Sequence, residues 1–375
     1  MVIKYKPYLN IGPGEFVKEE LKIRNWRQED LSAILGLSLK SINKLIKNKQ
    51  SITVETAQLF SKAFGQSPQF WLSLDANYRL RLKQDKKREK RVDILANIFK
   101  YMPIKEMIKK GWIKKYKDTN ELKKQVQLFW GKNSLDFKWL ETVQLPNLRK
   151  SSAYNQFNLF YAYAWFNMAR KCTKSYSADR YSKKRLKTIV TNFAVYTKNR
   201  NGIKVFLKDL NKVGVKFFVL HHLSKTYLDG ASFCDKRNPV IAYTMRYNRV
   251  DNFWFTVAHE IAHILLHLHD RNKYFVDNLE LVNTDQEKQA NRLALKMIRA
   301  NQIKKYFKHF DKYISEYRVK DCAAEVGVSP ALVVGVLQHE GKLSRRNLNR
   351  LKESVSEKIP RKYWAEKYLT KLRHG

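Results

Sequence analysis

The chain has 375 residues, 44% of them apolar and 13% aromatic, which excludes a disordered chain and favours two or three globular domains. Its 74 Lys and Arg against 34 Asp and Glu leave a formal charge of +40, which favours a polyanionic partner such as nucleic acid. The excess of basic residues runs along the whole chain, so it also fits a generally lysine-rich composition. Three widely spaced cysteines exclude a disulfide framework, and there is neither a leader-like start nor an apolar segment of bilayer length, so we expect a cytoplasmic protein without a membrane partner.

The first predicted elements are short amphipathic helices between residues 14 and 82, and residues 26–53 have the layout of a helix-turn-helix. We predict a first helix from Gln28 to Leu35, ended by Gly36 in the left-handed conformation, and a second helix capped by Ser38. Leu37 would fill the turn. The side chains predicted to face the core are Leu31, Ile34 and Leu35 of the first helix and Ile42, Leu45 and Ile46 of the second.

The outer face of this second helix has the chemistry of a DNA-reading surface, because residues 31–54 contain four lysines and no acidic residue. The expected partner is double-stranded operator DNA. Phosphates would be contacted by Gln28, the helix N-terminus at Ser38 and Lys47 or Lys49. Base edges would be contacted by Lys40, Ser41, Asn43 and Lys44. The alternative is an ordinary helical hairpin with a solvated lysine face.

A family resemblance supports the DNA-binding interpretation. The stretches GEFVKEELK, WRQEDL and LGLS, and above all SPQFWLSLDANY at residues 67–78, resemble the HigA-type antitoxins of the Cro/repressor-like group. The resemblance covers about residues 12–82. It implies a five-helix domain that binds its operator as a homodimer.

The chain beyond this domain is predicted to be helical up to residue 200, with aromatic clusters that favour a packed core over a partner groove. A small sheet of about three strands is predicted next, at residues 214–220, 228–233 with an Asp-Gly turn, and 238–245. Helices are expected at about 252–269 and 285–300. A second helix-turn-helix-like stretch at 319–338 exposes no lysine on its second helix, and we interpret it as packing.

The predicted helix at 252–269 contains the motif HExxH, as His259, Glu260 and His263. Its spacing lets two imidazoles on one helical face bind one Zn²⁺, with Glu260 as the general base acting on a water molecule whose pKa the metal lowers. Glu260 is the single acidic or basic side chain in these 18 residues. Two core histidines bonded to the backbone would explain the histidines but not this buried glutamate.

The third zinc ligand is left open by the motif itself. His269 stands at the metzincin distance, but Leu266 replaces the glycine that would turn the chain, and His267 is expected at the helix end. A gluzincin arrangement would instead use Glu287, with Asn291 one turn later orienting a ligand. Glu280 and Asp285 are the further alternatives.

The same stretch resembles the ImmA/IrrE metallopeptidases, in which HExxH is followed by a segment like EKQANRLALKMI. The resemblance covers about residues 200–345, and it implies zinc bound by His259, His263 and Glu287 with Glu260 as general base. Leu293 in place of Phe and the absence of a closing Pro after Met297 are departures at packing positions. Candidates for stabilising an oxyanion are Tyr243, Tyr247 and His339.

Together these observations predict a mainly α protein, with an N-terminal five-helix helix-turn-helix domain and a C-terminal α+β, gluzincin-like zincin domain with a small sheet. The predicted function is an antitoxin-like DNA-binding regulator whose zinc endopeptidase domain cleaves a partner regulator or the chain itself. One alternative is an antitoxin or repressor whose zincin domain is a non-proteolytic sensor or toxin-binding scaffold, and another is a zinc domain that is itself a toxin. The expected regions are a DNA-binding domain at 1–91, a helical middle region at 92–200, the peptidase-like domain at 201–345 and a basic helical tail at 346–375.

Overall fold

The computed structural model describes residues 10–82, 86–142, 156–268, 274–277, 285–310 and 313–365. It is mainly α-helical with one small mixed sheet, as the sequence predicts. The chain divides into two compact units, Met1–Asp93 and Ile94–Gly375.

The first unit is built from five helices around one aromatic core. Phe60, Phe64 and Trp71 pack against one another with ring centroids 5.0 to 5.6 Å apart. The buried Asp75 carboxylate accepts a hydrogen bond from the Ile52 backbone N–H at 3.2 Å and from Arg79, so it ties the fifth helix to the loop before the fourth. The helices are α1 (Pro13–Ile23), α2 (Gln28–Leu35), α3 (Leu39–Ile46), α4 (Val54–Phe64) and α5 (Pro68–Leu82).

The helix-turn-helix has the predicted bounds and caps. Gly36 ends α2 with φ +64°, and the Ser38 hydroxyl accepts a hydrogen bond from the Ser41 backbone N–H at 3.2 Å. The expectation that Ile34 faces the core is wrong, because this side chain is 49% exposed. Leu31 and Leu35 lie one turn apart and fill the buried stripe, so Ile34 lies beside that stripe in solvent.

The helices of the middle region pack on the sheet. In α10 the buried Phe160, Trp165 and Phe166 share a core with Phe218 and Phe233 of the sheet. The helices are α6 (Lys86–Tyr101), α7 (Ile104–Lys109), α8 (Thr119–Trp130), α9 (Lys138–Thr142), α10 (Gln156–Cys172), α11 (Lys183–Thr191), α12 (Phe193–Lys198) and α13 (Gly202–Lys212).

The sheet has four strands in the order β1-β3-β2-β4, one more than the sequence predicts. β1 runs parallel to β3, whereas β2 is antiparallel to both β3 and β4. Four residues are too few for a period-2 pattern to stand out, so β4 is recognisable only through its pairing with β2. The strands are β1 (Lys216–Val219), β2 (Gly230–Asp235), β3 (Asn238–Tyr243) and β4 (Tyr274–Asp277).

The prediction of a turn at the Asp229-Gly230 pair is wrong. Gly230 is the first residue of β2 and lies opposite Tyr243, while the turn between β2 and β3 is formed by Lys236 and Arg237. Lys236 takes the left-handed φ of +58° that the turn requires. An Asp-Gly pair can form a turn, but here Gly230 is extended because it pairs with Tyr243 of β3.

The sheet separates two layers of helices. Because side chains alternate along a strand, Phe217 and Ile241 point to one face and Phe218 and Val240 to the other. The first face packs against the central helix α14 (Val250–Leu266), and the second face packs against the helices α6 to α10 of the middle region. The last three middle helices, α11 to α13, lie on the α14 side, as Phe193 and Phe206 show by packing against Trp254. The other helices on the α14 side are α15 (Asp285–Met297), α16 (Ala300–Tyr306), α17 (Glu316–Val326) and α18 (Pro330–His339).

The second helix-turn-helix-like stretch is indeed a packing element. It forms α17 and α18, and the buried Leu332, Val333 and Val334 of α18 belong to the same core as α14. In the described ranges no single helix has the length and apolar character needed to cross a bilayer; only the pair α17 and α18, bent by 109°, meets that test in combination.

Residues 346–365 do not form the expected helical tail. They contain only two short 3₁₀ turns, and Trp364 forms a parallel bridge to Val219 at the edge of the sheet. The buried Lys352 ammonium lies 2.8 Å from the buried Asp251 carboxylate at the start of α14. Backbone hydrogen bonds also join the segment to the rest of the fold: the Val250 N–H donates to the Glu353 carbonyl oxygen at 3.0 Å, and the Ala365 N–H donates to the Val219 carbonyl oxygen at 2.9 Å.

Candidate metal centre and helix-turn-helix surface

The helix α14 positions the HExxH motif in the interior. Fourteen of its 17 residues are buried, since it lies between the sheet and α15. His259, Glu260 and His263 are all almost completely shielded from solvent. A helix enclosed in this way holds its side chains in fixed rotamers, which is what a preorganised site needs.

Three potential ligands converge across α14 and α15. The Nε2 atoms of His259 and His263 lie 2.9 Å apart. One Glu287 carboxylate oxygen lies 3.1 Å from the His259 Nε2, and the other lies 3.3 Å from the His263 Nε2. Among the described residues, these three side chains form the candidate group for holding a metal ion, because their ligand atoms all lie within 4.8 Å of one another.

The outer nitrogens of both imidazoles are held by hydrogen bonds. His259 Nδ1 donates to the Asn291 side-chain oxygen at 2.9 Å. His267 Nε2 donates to the Gln289 side-chain oxygen at 3.1 Å, which leaves the His267 Nδ1 to accept from the His263 Nδ1 at 3.1 Å. Both rings are thereby placed in the tautomer that carries its proton on Nδ1.

The hydrogen bonds that link His263 through His267 to Gln289 are not predicted by the sequence pattern. His267 was expected at the end of the helix, and it is the C-terminal cap of α14. Its spacing of four residues from His263 was a usable signal, because residues at i and i+4 share a helical face. Gln289 offered no such signal, since its role depends on how α15 packs on α14.

The charges of the cluster suit a cation. Burial lowers the pKa of His263 to about 4, so its imidazole is neutral at physiological pH. Burial raises the pKa of the Glu287 carboxyl, but the adjacent His259 and His263 lower it by more, so the net pKa lies well below the usual range. Two imidazole Nε2 atoms and a carboxylate thus converge on one space, and this is the donor set that Zn²⁺ prefers.

The Glu260 side chain lies close to the first residue of β2. A Cβ atom placed on Gly230 would lie only 2.8 Å from the Glu260 Oε1 and 3.1 Å from a Thr256 methyl carbon. Glycine at this position therefore allows the strand to approach the carboxylate closely.

The alternative ligands and the oxyanion candidates lie elsewhere or outside the described residues. His269 and Glu280 fall outside them, and the Asp285 side chain is 92% exposed on the first turn of α15. The oxyanion candidates form no hydrogen bond with the cluster in the described part of the chain. The buried Tyr243 hydroxyl donates to Asn252 or Tyr247, Tyr247 lies against two arginines, and His339 is exposed on α18.

The predicted DNA-contacting residues lie on the helix-turn-helix. Lys40, Lys44 and Lys47 are exposed along α3 and at its C-terminal end, and Ser41 and Asn43 are partly exposed. Gln28 is the first residue of α2. The Ser38 hydroxyl lies 3.0 Å from that of Ser41, so these two predicted contacts also cap the helix.

Comparisons with known proteins find similarity in two separate parts of the chain. A helix-turn-helix family model matches residues 17–71, and a model described as the IrrE N-terminal-like domain (peptidase M78) matches residues 198–335. The chain is similar to virulence-associated protein I of Dichelobacter nodosus, with 35% identity over 78 residues that make up 20% of this chain and 72% of the relative.

A solved structure of an addiction module antidote protein of a HigA family from Coxiella burnetii is also similar, at 30% identity. The match covers 22% of this chain and 91% of the antidote protein, with a TM-score of 0.21.

Proposed function

We propose that this chain, which belongs to the helix-turn-helix family through its first domain and carries an IrrE N-terminal-like domain at residues 198–335, is an operator-binding regulator with a zinc-dependent endopeptidase domain. The observation that supports the peptidase best is the convergence of His259, His263 and Glu287 beside the buried Glu260. The protein substrate would be a partner regulator, a cognate toxin, or the chain's own first domain.

Each residue of the cluster would have a different role in peptide hydrolysis. His259, His263 and Glu287 would hold Zn²⁺, which when bound lowers the pKa of a water molecule and polarises a peptide carbonyl. Glu260 takes the proton of the attacking water and delivers it to the leaving amine. Asn291 keeps the His259 Nδ1 protonated and its Nε2 available to the metal.

The first domain supplies the DNA-binding part of the proposal. Gln28, the N-terminus of α3 at Ser38 and Lys47 or Lys49 would contact phosphates. Base edges would be met by Lys40, Ser41, Asn43 and Lys44. Operator binding by a helix-turn-helix commonly uses two copies on a symmetric site, so we expect a homodimer on DNA.

Zinc content and cleavage test the two parts of the proposal in turn. The wild-type chain purified with zinc should hold one ion per chain, and Glu287→Ala and His263→Ala should each lose it. New protein N-termini should then arise in cells that express the wild type, and be absent in cells that express Glu260→Gln. If Glu260→Gln keeps zinc and generates the same N-termini as the wild type, Glu260 is not the base. If neither protein generates any while both hold zinc and bind DNA, the zincin domain is a scaffold or sensor.

A further inference from the structure

A second cavity lies away from the metal cluster, between the ends of α8 and α10 and the turn that joins β2 to β3. Its volume is about 650 Å³, which lies within the range of sites for small ligands. Eight of its 13 lining residues come from the middle region, between residues 129 and 174, which precedes the part of the chain that matches the IrrE N-terminal-like domain. β2 carries Phe233 into this cavity, while the same strand begins at Gly230 beside Glu260.

The wall of the cavity is strongly cationic. Five of its 13 lining residues are Lys or Arg, whereas Lys and Arg together make up 74 of 375 residues in the whole chain, or about one in five. The one carboxylate in the wall, Asp235, lies 2.8 Å from the Lys216 ammonium outside the cavity. Within the described ranges none of the five lining cations has an ion-pair partner; they are Arg170, Lys171, Lys174, Lys236 and Arg237.

Lys171 is the most shielded of these five cations and lies near a second one, Lys174. Its ammonium is partly buried and lies 3.3 Å from the Leu128 carbonyl oxygen. Burial and repulsion from the neighbouring Lys174 lower the pKa of Lys171. An anion bound between these side chains would remove the repulsion, so the free energy that opposes the clustered charges would favour binding.

The floor of the cavity is aromatic and rigid. Phe129 and Trp130 pack edge to face with centroids 5.1 Å apart, and the Trp130 Nε1 donates to the Met102 sulfur at 3.2 Å. Asn167 donates to the Phe129 carbonyl oxygen at 2.8 Å, which joins this floor to α10. A preformed aromatic surface next to cations suits a ligand that carries both a planar ring and phosphates.

We propose that this cavity binds a small phosphorylated ligand of nucleotide size. The five lining cations hold the phosphates, and Trp130 contacts the base. Arg170 and Arg237 can each grip two phosphate oxygens at once, whereas the lysines act as point charges.

The experiment measures ATP binding to the full-length chain by equilibrium dialysis at physiological salt, where weak surface attraction is screened. The test variant is Lys174→Glu/Arg237→Glu, and the control is Lys198→Glu/Lys208→Glu on exposed positions of α12 and α13. Both double variants change the net charge equally, and their thermal unfolding verifies that they fold. We expect one ATP per chain, weakened at least tenfold in the test variant, which corresponds to about 1.4 kcal/mol, and changed less than twofold in the control.

The other outcomes count against the proposal. Equal weakening in the two double variants would mean that ATP responds only to the overall charge of the chain, and the absence of saturable binding would remove the site altogether. Binding of a single-stranded DNA 12-mer should also be measured. If the test variant weakens binding of this DNA but not of ATP, the surface is a nucleic-acid groove instead. Trp130→Leu should weaken ATP but not pyrophosphate, and equal effects on both would overturn the contact with the base.

Discussion

The hydrogen bond from His259 to Asn291 provides the sharpest test of the metal centre. Asn291→Ala removes the acceptor that lies 2.9 Å from the His259 Nδ1 while leaving all three proposed ligands in place. The imidazole then loses both its fixed orientation and the group that keeps its proton on Nδ1. Outer hydrogen-bond partners of zinc ligands are worth about 10- to 100-fold in metal affinity, or about 1.4 to 2.7 kcal/mol.

The structure also predicts how neighbouring substitutions compare with Asn291→Ala. Asn291→Asp keeps an oxygen at the same place and should retain zinc. Gln289→Ala acts on His263 only through His267, so its effect on zinc affinity should be smaller than that of Asn291→Ala. Lys288→Ala, on an exposed position of the same helix, serves as the control.

The assay is competition with a chelator of known zinc affinity, together with thermal unfolding at a fixed free zinc concentration. A hundredfold loss of affinity lowers the stabilisation by saturating zinc by about 2.7 kcal/mol. The reasoning is refuted if Asn291→Ala binds zinc as tightly as the wild type while His259→Ala loses it, because the hydrogen bond would then contribute nothing to the site.

Three further predictions concern the base, the buried ion pair and the DNA surface. Gly230→Ala should leave zinc bound but slow cleavage about tenfold, because its Cβ would press on the Glu260 carboxylate, and this is measured as the rate of formation of the N-termini that Glu260→Gln abolishes. Lys352→Ala should lower the free energy of unfolding by about 3 kcal/mol in urea titrations, the lower end of the range for a broken buried pair, because the Asp251 carboxylate loses its nearest cation but keeps Arg249 at 3.4 Å. Lys47→Ala should weaken binding to operator and unrelated DNA alike, and lower the slope of log affinity against log salt by about 0.9.

Each of these predictions has a matched control. Ala231→Gly alters the next residue of β2 without adding an atom beside the carboxylate, so it should not slow cleavage through Glu260. Lys358→Ala breaks only the more exposed pair with Glu353 and should cost less than about 1 kcal/mol; a similar cost for Lys352→Ala would contradict the importance of burial. Lys62→Ala, exposed on α4, should leave the salt slope unchanged, and a slope that falls equally would place Lys47 outside the DNA contact.

The helix-turn-helix was predictable because its signals are local. Gly36, Ser38 and the spacing of Leu31, Leu35 and Ile42 determine the turn and the buried stripe through contacts within a few residues. The characteristic segment at residues 67–78 owes its pattern to structure rather than to DNA contact, because Trp71 lies in the core and Asp75 ties two helices together. Ile34 was misplaced because helical periodicity alone does not determine how wide the buried face is.

The amino-acid sequence by itself predicted the helix that carries HExxH, the burial of Glu260 and the placement of Glu287 and Asn291 one turn apart on a second helix. These features depend on composition and spacing within one helix. Only the tertiary structure decided that Gln289 reaches His267, that β4 joins the sheet, and that residues 346–365 pack against the fold instead of forming a helix. These features depend on side chains brought together from distant parts of the chain. Such contacts follow from how helices and strands pack, and neither composition nor periodicity within one segment contains that information.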